Sequence, residues 1–396
     1  MKVAIPKETG QGERRVAVIP DSVKQLKAAG LDVIVEAGAG ANAYHPDAAY
    51  EAAGAAIVSD AASLYKDADV VLKLMPPQAN GPGGRHEAEL PREGAVYISF
   101  LKPNAELDVV KTFAARKVSA FSMDLVPRST RAQRMDALSS MATADGYKAT
   151  LMAALTSPRF FPMFVTAAGT IAPARVLVIG AGVAGLQAIA SARRLGAVVE
   201  GYDIRPAVKE EVESLGAKFV GPTLSKEETQ DEQGYAKALS EEARAKAQEL
   251  LRARIPHADV IITTARVPGL KAPMLIAEDD VKKMKPGSVI VDLAADQGGN
   301  CALTEAGKDV VKHGVTIHGP VQLAATVPVH ASQMYSRNIV ALFLLMVKDK
   351  ALNLDFNDDI IRDTCVTHDG KVMHGPTRER LEGGSTAPAG AAGSPK

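Results

Sequence analysis

The 396-residue chain carries 46 Lys and Arg against 46 Asp and Glu. With no net charge and no basic run, it lacks the electrostatic footprint of a nucleic-acid-binding protein. Its hydrophobic content of 46% and near-zero mean hydropathy describe a soluble globular chain, long enough for two domains at roughly 100–200 residues each.

The first third alternates strands and helices. KVAIP (2–6), DVIVEAG (32–38), DVVLKL (69–74), AVYISF (95–100) and VSAFSM (118–123) are short apolar runs rich in β-branched residues, with helical segments such as SVKQLKAAG (22–30) between them. Such alternation predicts a parallel sheet covered on both faces. QANGPGGRHEAELPREG (78–94) reads as a Gly/Pro-rich loop. From about Asp136 to Leu155 the pattern turns helical. A second series follows: RVLVIG (175–180), AVVEGYD (197–203), AKFVG (217–221), DVIITTA (259–265), SVIVDLAA (288–295) and VTIHGP (315–320). VHASQMYSRNIVALFLLMV (329–347) then predicts a second long helix. The expected fold class is α/β: two Rossmann-like doubly wound parallel-sheet domains, the second inserted in the first and joined to it by two long helices. Residues 1–136 and 328–384 form the discontinuous N-terminal domain, 137–327 the inserted one, and the Ala/Gly/Pro-rich 385–396 a flexible tail.

The inserted domain carries GAGVAG at Gly180 to Gly185, after a strand and at the start of a helix that ends at Gly196. Gly180 permits the tight turn, Gly182 lets the backbone approach a pyrophosphate, and Gly185 allows close helix–strand packing. The helix N-terminus offers free N–H groups and partial positive charge to the phosphates. The plainer alternative is three glycines in an ordinary strand–helix turn. Asp203, at the end of the next strand, stands where a carboxylate would accept from the adenosine 2′-OH and repel a 2′-phosphate, which favours NAD over NADP. Arg205 pulls the other way, since it could face a phosphate. Residues 222–248 interrupt the series with a polar, acidic excursion. There Gly234-Tyr235 reads either as a lid whose ring closes over a nucleotide or as an incidental surface Tyr, and spacing does not separate the two.

Two cysteines, Cys301 and Cys365, cannot build a disulfide framework. They fit a reducing cytoplasm as small core residues. The eight His show no HxxxH or CxxC pairing, so no metal site is expected. Met1-Lys2 leads straight into VAIP without a signal peptide. The apolar stretch from Ile339 to Val347 is about half the ~20 residues that span a bilayer.

RSTRAQRMDALSS (128–140), DGYKAT, TAAGTIAPARVLVIGAGVAGLQAIASARRLGAVVEGYD, QGYAKAL and KPGSVIVDLAADQGGN together resemble the NAD(H)-binding component, domain I, of proton-translocating nicotinamide nucleotide transhydrogenases. The resemblance covers nearly the whole chain. It implies a homodimer that binds NAD(H) in the cleft between its two domains. NADP(H) would sit on a partner domain, and a membrane-spanning transhydrogenase subunit would move the proton. The chain itself would be cytoplasmic, held peripherally on the inner membrane by those partners, with no metal and no nucleic acid. It also implies that Arg128, Gln133, Asp136 and Ser139 sit beside the nicotinamide. Cofactor contacts would come from Ser129, Thr130, Arg131, Gly180, Gly182, Val183, Gly185, Asp203, Ile204, Arg205, Gly234, Tyr235, Thr264 and Ala265. Hydride passing directly from C4 to C4 needs no proton acid or base. The protein's task is to hold two rings face to face. Gln133 can donate and accept at once, Arg128 can reach a carboxamide or phosphate while oriented by Asp136, and Ser139 could hold the carboxamide.

Alanine dehydrogenases share PKE, ERRVA and GSVIVDLAADQGG with this chain. That family needs cationic and acid–base groups near the nicotinamide. It places a Lys where this chain has Met75 and a His where it has Lys102. Arg15 matches its substrate arginine, or simply anchors the N-terminal strand. Asp296 matches its catalytic acid, read here as a strand-end acid. Lys73 stands near the lost position. A non-catalytic NAD-binding sensor is the third reading.

Overall fold

The computed structural model describes residues 1–79, 81–222, 240–267 and 271–383. Gly234, Tyr235 and the segment 385–396 lie outside the described residues. The chain divides into two compact units, Met1–Leu138 with Pro328–Lys396, and Ser139–Val327. The first division falls within the helix Ala137–Thr156 and the second at the start of the helix Pro328–Leu345.

In the first unit the apolar runs become β1 (Lys2–Ile5), β2 (Asp32–Glu36), β3 (Ala56–Val58), β4 (Val70–Leu72), β5 (Val96–Ser99) and β6 (Ser119–Ser122). They pair in parallel in the order β3-β2-β1-β4-β5-β6, with Val3 opposite both Val33 and Val70. Every residue of β4, β5 and β6 is buried. The reason is that helices cover both faces, so a strand here needs a continuous apolar run and not an alternating one. Leu64, Tyr65, Val71, Tyr97, Val110 and Phe113 lie in the core on one face. The helix Ala61–Asp67 starts where Asp60 accepts from the Ser63 amide, an N-cap bond at 2.9 Å. From the far end of the chain, Ser332 and Ser336 of the helix Pro328–Leu345 accept from the amides of Val16 and Ile19, at 3.0 Å each.

In the second unit β7 (Phe164–Thr166) and β8 (Gly169–Ile171) form an isolated hairpin. Then come β9 (Arg175–Ile179), β10 (Val198–Tyr202), β11 (Lys218–Val220), β12 (Val260–Thr263), β13 (Val289–Asp292), β14 (Asp309–Lys312) and β15 (Val315–His318). Their sheet order is β11-β10-β9-β12-β13-β15-β14. Val176, Val178, Ile189 and Val260 pack on one face of it, and Leu177, Tyr202, Ile261 and Ile290 on the other. The parallel parts of both sheets follow the doubly wound plan. The strand order reverses between β1 and β4 in one unit and between β9 and β12 in the other, and ligands of such folds bind beyond the carboxyl ends of those strands.

Both sheets depart from the all-parallel expectation at one edge. β14 runs antiparallel to β15. After a small hairpin of β16 (Val347–Lys348) and β17 (Ala351–Leu352), the chain returns as β18 (Cys365–His368) antiparallel to β6, and then β19 (Lys371–Val372). The turn between the last two is Asp369-Gly370, both at positive φ (45° and 78°), the conformation that closes a two-residue hairpin. These strands are too short to leave a periodic trace in the sequence.

Candidate functional site

β9 ends on Gly180, whose φ is +96°. A Cβ there would stand 2.6 Å from Thr264 Oγ1, and one on Gly185 would stand 1.8 Å from the Gly180 carbonyl oxygen. Both glycines are therefore demanded by the packing of the turn. Gly182 is different. Its φ of −80° and ψ of −169° suit any residue, and nothing lies within 4 Å of where its Cβ would be. The fold does not need a glycine there, so the open space is available to a ligand. It lies at the N-terminus of the twelve-residue helix Val183–Arg194, beyond the carboxyl end of β9 where the strand order reverses. Unpaired amides at a helix start suit a phosphate. The residues present thus fit a dinucleotide pyrophosphate. Val183 is part-exposed in the first turn of that helix.

Thr264 and Ala265 follow β12 directly. Thr264 Oγ1 donates to the Gly180 carbonyl at 2.9 Å, which fastens this loop to the glycine turn. Ala265 is bracketed by Asn300: its amide donates to Asn300 Oδ1 at 3.1 Å, and its carbonyl accepts from Asn300 Nδ2 at 2.9 Å. Asn300 is in turn held by Asp292, the fully buried last residue of β13. The Asp292 carboxylate accepts from Thr263 Oγ1, Thr304 Oγ1 and the amides of Ala294, Asn300 and Cys301, all between 2.7 and 3.0 Å. Reading motifs missed this pair. The available signal was an Asp closing the buried run VIVD, eight residues before an Asn. Asp296, by contrast, pairs with Arg266 at 3.0 Å and keeps about a third of its side chain exposed (34%).

Asp203 is buried and does not stand alone. Its Oδ2 accepts from the Ala181 amide (2.7 Å) and Arg205 Nη2 (2.8 Å). Its Oδ1 accepts from the Arg205 amide and Nε, both at 2.9 Å. Arg205 therefore folds back over the carboxylate, and Ile204 between them packs part-buried against the core.

The segment RSTRAQRMD belongs to the first unit. Thr130–Met135 forms a 3₁₀ turn with Ala132 and Met135 buried. Arg128, Thr130, Gln133 and Arg134 are exposed, and Asp136 is half-buried. Ser129 Oγ is buried without a hydrogen-bond partner among the described residues. The Arg134 carbonyl accepts from Asn338 Nδ2 at 2.8 Å. Arg131 makes two bonds to Asp358, at 2.6 and 2.7 Å, and a further one to Asp359. Ser139 lies in the first turn of the helix Ala137–Thr156, its carbonyl accepting from Thr143 Oγ1 at 2.9 Å.

The cationic residues of the rival reading are committed elsewhere. Lys73, wholly buried, pairs with Glu8 at 2.9 Å and Glu87 at 3.0 Å. Glu8 also accepts from the amides of Leu74 and Met75, and Glu87 from Thr9 Oγ1 and the Gln78 amide. Burial pushes the Glu8 carboxyl up, against the opposing pull of Lys73. Burial alone would lower the Lys73 ammonium, but the two carboxylates outweigh it and the net shift is upward. Glu8 follows β1 and Lys73 follows β4, so this triad fills the point of the first sheet where the strand order reverses. Arg15 is buried against Glu13, with Nε and Nη2 donating at 2.7 and 2.6 Å. Lys102 is exposed, its amide bound to Asp124 at 2.8 Å.

Comparison with known proteins agrees with this architecture. The model of the alanine dehydrogenase/PNT N-terminal domain matches residues 4–144, and that of the alanine dehydrogenase/PNT C-terminal domain matches 149–375. The chain is 48% identical over 379 residues to the first of the chains that make up the NAD(P) transhydrogenase alpha subunit of Rhodospirillum rubrum, covering 94% of this chain and 98% of that one. It is 31% identical to an alanine dehydrogenase of Halomonas elongata, covering 94% and 95%. A crystal structure of transhydrogenase from Sinorhizobium meliloti, 43% identical, superposes with a TM-score of 0.84 over 94% of this chain and all of that one. The chain belongs to the alanine dehydrogenase/PNT family and, within it, groups with the NAD(P) transhydrogenase alpha subunits.

Proposed function

We propose that this chain is the NAD(H)-binding subunit of a proton-translocating transhydrogenase. NAD(H) binds here, NADP(H) binds on a domain supplied by a partner chain, and a membrane-spanning partner couples hydride transfer to proton movement. One contrast supports this above all. The reversal point of the second sheet ends in a glycine turn with open space at Gly182, while that of the first is filled by Glu8, Lys73 and Glu87. One dinucleotide per chain is then the capacity, and a second must arrive on another chain.

When bound, the nicotinamide supplies or accepts hydride at C4. The chain's own residues bind and orient it. The amides at Gly182 and Val183 receive the pyrophosphate, with Gly180 and Gly185 keeping the turn tight. Thr264 and Ala265 form the wall opposite, kept in place by Asn300 and Asp292. Asp203 receives the adenosine ribose. Its roughly four acceptor positions are filled by Ala181 and Arg205, so taking a hydroxyl requires the guanidinium to give way. Arg128, Ser129, Thr130, Gln133, Asp136 and Ser139 serve the nicotinamide end and the approach of the partner. The partnerless Ser129 Oγ fits a polar ligand, since a buried hydroxyl left unpaired is costly. None of these residues has to carry a proton, which suits a reaction governed by proximity.

The hairpin of β7 and β8 supports a homodimer. Met163, Phe164, Val165 and Ile171 expose 59%, 40%, 77% and 42% of their surfaces on one small arm. An apolar two-stranded arm is not stable in water by itself, and a second copy would cover it. Among the described residues no helix is long and apolar enough to cross a membrane, in keeping with attachment through partner subunits on the cytoplasmic face.

The test is to mix the chain with an NADP(H)-binding partner and follow hydride exchange between NADH and an NADP analogue. Exchange that appears only with the partner is expected. NADH formation driven by alanine would replace this reading with an amino-acid dehydrogenase, and nucleotide binding with neither activity would leave a sensor.

A further inference from the structure

Arg131 sits among the residues that the family resemblance assigns to cofactor contact, yet its guanidinium is turned to its own chain. Two parallel N–H groups reach the two oxygens of Asp358, at 2.6 and 2.7 Å, and Nη2 also reaches Asp359. This is the planar fork-to-carboxylate match that Arg makes and Lys cannot. Asp358 is itself fixed. It is the N-cap of the helix Asp359–Thr364, its Oδ1 accepting from the amides of Ile360 and Ile361 at 2.9 and 3.4 Å. Ile360, Ile361 and Thr364 are buried, and the helix runs straight into β18, which pairs with β6. The guanidinium also holds the Asp358 carboxyl below the usual carboxylate range.

The 3₁₀ turn Thr130–Met135 is thus tied to the frame at three points: the Arg131 fork, the Asn338 bond to the Arg134 carbonyl, and the buried Ala132 and Met135. Gln133 projects between these anchors with its side chain exposed. We propose that Arg131 is a positioning residue, acting through Asp358 to fix the 128–136 segment, and that it does not contact the nucleotide. The consequence for turnover rests on the transhydrogenase reading above; the clamp itself does not. A transfer loop displaced by about 1 Å can cost on the order of a hundredfold in rate, whereas an exposed ion pair contributes little to overall stability.

The experiment compares Arg131→Ala with the double variant Asp358→Asn, Asp359→Asn. Asn retains the N-cap, so the helix survives while the charged partners are removed. Three quantities are read: amide hydrogen exchange of residues 128–136, NADH affinity, and hydride exchange with the NADP(H)-binding partner. Both variants should speed amide exchange in that segment and slow hydride exchange by about tenfold or more, with NADH affinity within about twofold. Arg131→Lys should fall between them and the parent, because Lys supplies a single point charge. Unchanged amide exchange in both variants overturns the clamp. So does a tenfold loss of NADH affinity confined to Arg131→Ala, which would make Arg131 a nucleotide ligand. If the parent chain shows no hydride exchange with any partner, the transhydrogenase reading fails, and the amide-exchange arm still decides the clamp.

Discussion

Replacing Lys73 with Met tests the buried triad most directly. The substitution keeps most of the side-chain stem and removes the ammonium. Glu8 and Glu87, each with a side-chain exposure of 2%, would then face each other without a counter-charge. Breaking a buried pair by removing one partner costs about 3–5 kcal/mol, chiefly because a buried charge is left uncompensated. For a unit of roughly 200 residues, at about 2–4 °C per kcal/mol, the thermal midpoint should fall by about 6–20 °C. The loss should also depend on pH with a definite sign. Burial already raises the Glu8 carboxyl in the folded chain. A folded-state acid with a raised pKa contributes stability that is present at acid pH and lost as pH rises through that pKa. Removing Lys73 takes away the attraction that opposes the rise. The deficit relative to the parent should therefore be largest near about pH 8 and shrink toward about pH 5. Differential scanning calorimetry across that range measures both effects. A midpoint shift below about 2 °C, or a deficit that grows on acidification, refutes the account. It would also reopen Lys73 as a grip for a substrate carboxylate.

Two glycines separate packing from binding. Gly185→Ala places a Cβ against the Gly180 carbonyl and should destabilise the chain by about 1–3 kcal/mol, read from denaturant unfolding. Gly182→Ala should leave unfolding unchanged and weaken NADH binding at least about tenfold, ~1.4 kcal/mol; retained affinity by calorimetric titration would remove this turn from the nucleotide site. Gln133→Leu should slow partner-dependent hydride exchange by about a hundredfold while NADH affinity stays within about twofold, and a large affinity loss with normal turnover counts against its role. Val165→Glu, which puts a charge on the exposed hairpin, should shift sedimentation from a dimer mass to a single chain; an unaltered mass would relieve the hairpin of any part in assembly.

Much of the architecture could be read from the chain. RVLVIG, DVIITTA and SVIVDLAA announce strands because a strand buried on both faces needs an unbroken apolar run, and β9, β12 and β13 fall within them. GAGVAG could be read as a turn because the steric demand is local: Gly180 and Gly185 face atoms only a few residues away or on the neighbouring strand end. The antiparallel edges β14, β18 and β19 were not legible, because two to four residues at a sheet edge carry too little periodicity to register.

The charged residues mark the limit. Arg205 could be assigned a phosphate on sequence grounds, yet it folds over Asp203 two residues away. Lys73 could pass for a substrate ligand until Glu8 and Glu87 close on it from 65 residues before and from the far side of a Gly/Pro-rich loop. Arg131 meets Asp358 across 227 residues, and Asn300 reaches back 35 residues to Ala265. Residue type and spacing determined where strands, helices and the glycine turn would form, because those depend on neighbours in the chain. Which partner each charge and amide would meet was decided only by the tertiary structure, since that depends on how the sheets bring remote segments within about 3 Å of one another, the reach of a hydrogen bond.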